Sequence, residues 1–172
     1  MNYSEFVRSK FKPGEKIAAE MTPHKAAALD FRSDVLVCHC EILDKVKKCA
    51  IYNKEDRKLR DFVSPERADR FKDFTLTPEQ AELLHAAIGL AGEAGELLDT
   101  VRKHIFDGQP LDRDNVKEEA GDIIFYLEAL IQTMQTTVHE IITGNMAKLS
   151  KRYEAGYSDK AAQERADKAG EE

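Results

Sequence analysis

The sequence predicts an all-α protein, and three observations support this fold class. Apolar residues recur at helical spacing along most of the 172-residue chain, whereas only short stretches alternate as a strand would. Helix-capping signatures precede these periodic segments. Hydrophobic residues make up 42% of the chain, which is enough for one core with at most an appendage.

Composition excludes several classes of function. The net charge is −6, and acids and bases are mixed along the chain, which argues against nucleic acid or an anionic membrane as a partner. No apolar run approaches the roughly 18 residues of a membrane span. The first six residues lack the basic and apolar regions of a secretion signal. We therefore expect a cytoplasmic protein.

The three cysteines, Cys38, Cys40 and Cys49, are odd in number and fit no disulfide framework. The single residue between Cys38 and Cys40 is shorter than the spacing of zinc-ligand pairs, and no second pair follows. We expect buried, reduced thiols rather than a zinc site.

The first long helix lies in the N-terminal third and repeats a later helix at a shift of about 55 residues. The matched pairs include Thr22 with Thr77, Pro23 with Pro78, Leu29 with Leu84, Glu41 with Glu96, and Leu43 with Leu98. The early copy has Cys38 where the later copy has Glu93, so it keeps only one acid of a pair. We expect this early helix to be structural, with chance similarity as the alternative to duplication.

The second long helix begins at Thr77, where Pro78 occupies the first helical position and Gln80 completes a capping box. It ends at Asp107-Gly108, with Pro110 just beyond. Its predicted apolar stripe consists of Leu84, Ile88, Ala91, Leu98, Val101 and Ile105.

Another helix begins near Asp112 or Asp114. Its predicted apolar side consists of Val116, Ala120, Ile123, Leu127, Leu130 and Met134. Thr137 and Glu140 form a further capping box, which opens a helix that runs to about Tyr153. The polar segment after Gly156 is expected to be a solvated helix or disordered.

Two pairs of acids have the spacing of metal ligands. Glu93 and Glu96 are three residues apart, as are Glu119 and Asp122, so each pair occupies one face of its helix. The short connection makes the two helices antiparallel, and a rise of about 1.5 Å per residue brings the pairs to similar height. Four converging carboxylates require cations, and all-oxygen ligands favour Mg²⁺, with Mn²⁺ as a substitute. The alternative is that these acids are solvated surface charges.

The same residues carry a family resemblance. The segment 92–97, GEAGEL, followed by 118–122, EEAGD, resembles the ExxE and ExxD signature of the all-α nucleoside triphosphate pyrophosphohydrolases. That superfamily includes MazG, the dimeric dUTPases, dCTP pyrophosphatase and phosphoribosyl-ATP pyrophosphohydrolase. The segment 145–153 resembles the closing helix of phage-encoded members. Many MazG proteins carry a glutamate at the position of Gly92, so either another group supplies that ligand here or fewer metals bind.

The resemblance implies an oligomeric four-helix-type bundle, a homodimer or a homotetramer, with active sites built partly across subunits. It places a catalytic domain over residues 77–157. Residues 1–76 are then an extension containing the degenerate repeat, and residues 158–172 are a polar tail.

The resemblance also implies a reaction. A (d)NTP is cleaved between its α- and β-phosphates with Mg²⁺, at two or more ions per site, and Glu93 or Glu96 positions the attacking water. Because one branch of the phage-type members converts dGTP to dGMP, we rank dGTP or GTP first as the substrate. The alternatives are phosphoribosyl-ATP, dUTP or dCTP as substrate, or a non-catalytic helical dimerisation module.

Basic and amide side chains are candidates for the substrate's phosphates. Asn145, Lys148 and Arg152 share one face of their helix, beside its apolar stripe. Lys103 follows Glu96 by one heptad on the same face and is a second candidate. A solvent-facing charge is the alternative for each lysine and arginine.

Two aromatic side chains complete the candidate site. Tyr126 lies one turn after Asp122 and matches an aromatic that serves the sugar or phosphate in dCTP pyrophosphatase-like members. His85 precedes Glu93 by about two turns and is a candidate for contact with the nucleobase, for which Gly89 and Gly92 would leave room. For both rings, a position in the core is the alternative.

Overall fold

The fold is described by a computed structural model that covers residues 2–54, 62–165 and 167. Within these ranges the chain is helical and contains no strand, which confirms the all-α prediction. None of the helices in these ranges is both long and apolar enough to cross a membrane.

Eight helices occur in the described ranges. They are α1 Tyr3–Lys10, α2 Gly14–Ala19, α3 Pro23–Ala50, α4 Pro65–Asp69, α5 Pro78–Phe106, α6 Arg113–Thr133, α7 Val138–Arg152 and α8 Asp159–Glu164. The chain divides into two compact units, one of Ala26–Gln135 and the other formed by residues 1–25 with 136–172. The division expected from the sequence is different, with residues 1–76, a catalytic domain of residues 77–157 and a tail of residues 158–172. That division rests on where the catalytic domain is expected, and it stays a prediction.

Helix starts and ends follow the local sequence. The Thr77 hydroxyl accepts from the Gln80 amide at 3.2 Å, and the Gln80 side chain accepts from the Thr77 amide at 2.9 Å. The helix ends at Asp107, and Gly108 follows with a φ of 68°. Asp112 caps α6, and Thr137 with Glu140 caps α7, as predicted.

The early helix α3 begins in the same way as α5. The Thr22 hydroxyl accepts from the amide of Lys25 at 3.3 Å, as Thr77 does for Gln80, and each helix begins with a proline. The two helices have 28 and 29 residues. Their similar caps and lengths agree with the duplication hypothesis, which stays a prediction.

The larger unit is built on three antiparallel helices. The Thr100 hydroxyl of α5 donates to Asn115 near the start of α6, and Glu82 near the start of α5 lies 3.5 Å from the Thr133 hydroxyl at the end of α6. The third helix, α3, runs antiparallel to α5, since Asp30 near its start pairs with Arg102 near the end of α5, whereas Lys47 near its end reaches Glu93. Its Cys40 lies against Gly95, where a Cβ would come within 2.4 Å of the Cys40 Cβ.

The buried face of α5 differs from the predicted apolar stripe. Its buried residues are Ala86, Gly89, Gly92 and Gly95. By contrast, Leu84 and Ile105 are 45% and 61% exposed, and Met134 after α6 is 58% exposed. The prediction of a stripe facing the core is wrong at these positions, because small residues bring the helix backbones close and leave the larger side chains outside the contact.

The smaller unit contains α1, α2, α7 and α8. The Lys10 ammonium donates to the carbonyl of Tyr153 at 2.5 Å, and Lys12 pairs with Glu20 at 2.6 Å and Asp159 at 2.9 Å. The first part of the predicted tail is therefore a short helix with an ion pair at its first residue. Residues 168–172 lie outside the described ranges.

The cysteines are all free thiols. Cys40 and Cys49 are buried, as predicted, and burial raises the pKa of the Cys40 thiol. Cys38 is exposed, so the prediction is wrong for this residue. Its position on α3 points away from the face that carries Cys40 and meets α5.

Candidate active site

Three of the four predicted acidic ligands converge between α5 and α6. Glu93, Glu96 and Glu119 each offer a carboxylate oxygen, and these oxygens lie within 4.8 Å of one another. The spacing argument therefore brought Glu119 to the height of Glu93 and Glu96. Asp122 is exposed and does not belong to this close set, so its role as a ligand stays a prediction.

Glu119 is the most buried of the three acids, at 5% exposure. Burial raises the pKa of its carboxyl group, although a hydrogen bond from Asn115 acts in the opposite direction. The Asn115 side-chain amide donates to Glu119 Oε1 at 2.8 Å, and the Thr100 hydroxyl donates to Asn115 Oδ1. Thr100 thus fixes which end of the Asn115 amide faces Glu119.

Glu93 is held from the opposite side by α3. Burial raises the pKa of Glu93, and the neighbouring acids raise it further, whereas Lys47 lowers it. The Lys47 ammonium lies 3.7 Å from Glu93 Oε1 and 3.0 Å from Asp44 Oδ1. It also lies 5.4 Å from the centre of the Tyr126 ring.

These residues fit a hard divalent cation. The donors are carboxylate oxygens, and Glu119 is buried, Glu93 is half-buried and Glu96 is exposed. Burial raises the pKa values of Glu93 and Glu119, and repulsion by the neighbouring acids raises them further. A bound cation would relieve this repulsion, and oxygen-only ligation is what Mg²⁺ and Mn²⁺ take.

A cavity of about 360 Å³ lies beside the cluster. The charged residues that line it include Glu41, Asp44 and Lys45 from α3, Glu96, Asp99 and Lys103 from α5, and Glu119 from α6. Lys103, a predicted phosphate ligand, therefore borders the same space as Glu96, and its ammonium pairs with Asp99 at 2.5 Å. The early helix, expected to be structural, lines this cavity as well.

The predicted aromatic residues belong to one hydrogen-bonded group. The Tyr52 hydroxyl lies 2.9 Å from His85 Nε2 and 3.2 Å from the Tyr126 hydroxyl. Burial and the bond with Tyr52 raise the pKa of Tyr126 to about 12. The Tyr126 ring covers Gly89, so the room expected there for a nucleobase is filled.

A second cavity of about 440 Å³ is lined in part by His85 and Tyr126. Its further lining includes Glu82, Phe125, Gln132 and Thr133. Phe125 is 66% exposed, so its ring is accessible to a planar ligand.

The other predicted phosphate ligands lie on α7, in the smaller unit. Lys148 is exposed and Asn145 is partly buried. Arg152 is engaged by a carboxylate, since its Nε and NH2 donate to Asp167 at 2.5 and 2.6 Å. The phosphate-binding roles of these three residues stay predictions.

Sequence reasoning missed Lys47, Tyr52 and Asn115. A partial signal exists for Lys47, because Cys40, Asp44 and Lys47 follow one another at helical spacing on one face of α3. The sequence does not indicate that this face meets the acids of α5.

Comparisons with known proteins identify a family for part of the chain. Residues 80–156 match the family described as the MazG nucleotide pyrophosphohydrolase domain. A curated relative, the Gene 37 protein of Mycobacterium phage L5, is 30% identical over 78 residues, which are 43% of this chain and 68% of the relative. No solved structure matches the chain.

Proposed function

Because this chain belongs to the family of MazG nucleotide pyrophosphohydrolases, which are hydrolases of nucleoside triphosphates, we propose that it cleaves a (d)NTP to (d)NMP and pyrophosphate with Mg²⁺. The observation that carries this proposal is the convergence of Glu93, Glu96 and Glu119 within 4.8 Å. With Asp122, these residues would hold two or more ions. A bound divalent cation supplies charge neutralisation for the triphosphate and a lower pKa for a coordinated water.

The protein's own side chains have separable roles in this proposal. Asn115 and Thr100 hold Glu119 in one orientation. Glu93 is paired with Lys47, whereas Glu96 borders the open cavity, so Glu96 is the better candidate for orienting the attacking water. Lys103 borders the same cavity and would bind the leaving pyrophosphate. Asn145, Lys148 and Arg152 on α7 are proposed separately as ligands of the substrate's phosphates.

The proposed substrate is dGTP or GTP. The second cavity, lined by His85, Tyr126 and Phe125, offers an exposed ring for stacking a base. Glu82 borders that cavity, and a carboxylate can accept from both N–H groups on the Watson–Crick edge of guanine. Adenine presents no such pair of donors, so this arrangement favours guanine.

The proposed assembly is a homodimer or homotetramer. Large apolar side chains on α5 and α6 are exposed in the single chain, with Leu84 at 45% and Ile124 at 65%. Exposed apolar surface of this kind marks protein–protein contacts. We further propose that the protein acts in the cytoplasm, without nucleic acid or membrane as partner. The relative is encoded by a phage. If this chain is phage-encoded too, the proposed location is the cytoplasm of the host cell.

Substrate profiling tests the proposal. The purified protein is incubated with each of the eight common NTPs and dNTPs, and separately with phosphoribosyl-ATP, in Mg²⁺. Products are resolved by ion-exchange chromatography. We expect (d)GMP and pyrophosphate from the guanine nucleotides at the highest rate. Release of orthophosphate would reject the assigned bond, turnover of phosphoribosyl-ATP alone would select the alternative enzyme, and no turnover would favour a non-catalytic module.

A further inference from the structure

Lys47 is an amine buried at a carboxylate centre. Its exposure is 3%, and it reaches this position from α3, outside the acid-bearing hairpin of α5 and α6. Burying a lysine is costly unless its charge is compensated. Here the compensation comes from Asp44 at 3.0 Å, Glu93 at 3.7 Å and the face of Tyr126.

Asp44 alone does not account for this placement. Its second oxygen, Oδ2, is paired with Lys48, which is 48% exposed on its side chain. Asp44 therefore faces two ammonium groups, and the charge of Lys47 is compensated in part by Glu93. One lysine of this adjacent pair is directed into the acidic centre, while the other stays at the surface.

The backbone of α5 leaves space for the Lys47 ammonium. A Cβ built on Gly92 would lie 3.8 Å from Lys47 Nζ, which is ordinary contact, so any longer side chain at position 92 would extend towards the space around that ammonium. An acid at position 92 would bring a further carboxylate to this corner. Instead, the corner combines a glycine with a lysine delivered by another helix.

We propose that Lys47 is an internal cation of the carboxylate centre, which neutralises Glu93 and takes the place of one divalent ion beside it. This inference deepens the proposed function, because it concerns the same site and rests on that site binding metal. Divalent cations would then bind on the side of Glu96, Glu119 and Asp122. A fixed positive charge so close to Glu93 opposes a second cation there and stabilises the centre before any metal arrives.

Metal binding by the full-length protein without nucleotide tests this role. Free Mn²⁺ is titrated by electron paramagnetic resonance against metal-free wild type and the variants Lys47→Met, Lys47→Arg and Lys48→Met. We expect Lys47→Met to bind one additional Mn²⁺ per chain, or to bind Mn²⁺ at least about tenfold more tightly. Lys48→Met is the matched control, because Lys48 also pairs with Asp44. Both Lys48→Met and the charge-conserving Lys47→Arg keep a positive charge beside Glu93, so both should stay within about twofold of wild type.

Unchanged or weaker Mn²⁺ binding by folded Lys47→Met would overturn the proposal. If circular dichroism shows this variant to be unfolded without metal, Mn²⁺ must restore its helical signal, since a bound ion would replace the missing ammonium. A variant that stays unfolded in Mn²⁺ would equally overturn it. The proposed function is tested by a separate experiment. If the wild type turns over no nucleotide, the proposed reaction is rejected, but the Mn²⁺ titration still tests the role of Lys47 because it contains no nucleotide.

Discussion

The ring of Tyr126 lies directly against Gly89, and a methyl group on that glycine would come within 2.2 Å of the ring's Cε1 atom. This contact joins α5 to α6 between the carboxylate cluster and the second cavity. The Tyr126 hydroxyl also lies 3.2 Å from that of Tyr52, beyond the end of α3. Because position 89 is a glycine, Tyr126 of α6 contacts both α5 and the segment that follows α3.

Gly89→Ala should lower the free energy of unfolding by about 1–3 kcal/mol, because the ring must move to admit the methyl group. This loss exceeds the gain of up to about 1 kcal/mol that alanine brings as a helix former. Gly121→Ala is the matched control, since a Cβ there meets nothing within 4 Å. It should stabilise the protein by about 0.5–1 kcal/mol. Urea unfolding followed by circular dichroism measures both, and equal effects would contradict the contact.

Glu96→Gln should abolish nucleotide hydrolysis without unfolding the protein, because it removes the charge of a converging carboxylate that borders the cavity. We expect a loss of at least about a hundredfold in kcat. Glu41→Gln changes the residue that matches Glu96 in the early helix and should keep activity within a few-fold. Steady-state kinetics with the preferred nucleotide compares them. A large loss in Glu41→Gln would show that α3 supplies a catalytic acid.

Asn115→Asp should reduce kcat/KM by about 10–100-fold, because a group that orients a metal ligand is replaced by one that repels it. The change removes the amide that donates to Glu119 at 2.8 Å and puts a charge beside that buried carboxylate. Thr100→Val should cause a smaller loss, since it only frees the Asn115 amide to turn. Lys117→Gln, on the exposed side of α6, is the control. Wild-type kinetics in Asn115→Asp would exclude the orienting role.

The stability of the metal-free protein should depend on pH through Glu119. Its pKa is raised in the folded protein, mainly by burial, from an ordinary value of 4.5. Its contribution to stability is therefore complete below that ordinary value and is lost as pH rises through the folded pKa. The melting temperature of Glu119→Gln relative to wild type should accordingly increase between about pH 4 and pH 7.

Excess Mn²⁺ should reverse this trend, because the cation favours the charged carboxylate of the wild type. Glu118→Gln is the control, since Glu118 is exposed and adjacent. Its melting temperature should follow that of wild type across the same range. A melting temperature of Glu119→Gln that falls relative to wild type with rising pH would contradict the assignment.

Much of the architecture could be predicted from the sequence, because the signals are local. The caps at Thr77, Asp112 and Thr137 act through hydrogen bonds within three residues of each cap, so short sequence windows contain both partners. The convergence of Glu93, Glu96 and Glu119 also followed from helical spacing and a short connection. Helical spacing did not predict which helix faces are buried. It assigned Leu84 and Met134 to the core, and both side chains are exposed in the single chain.

The sequence by itself determined the long helices α5, α6 and α7, their boundaries, and the convergence of Glu93, Glu96 and Glu119. Only the tertiary structure decided that α3 delivers Lys47 to Glu93, that Asn115 orients Glu119 and that Tyr126 fills the space over Gly89. The physical reason is that these contacts join different helices or depend on side-chain orientation. Their geometry follows from how closely small residues let the helices approach, which helical periodicity does not specify.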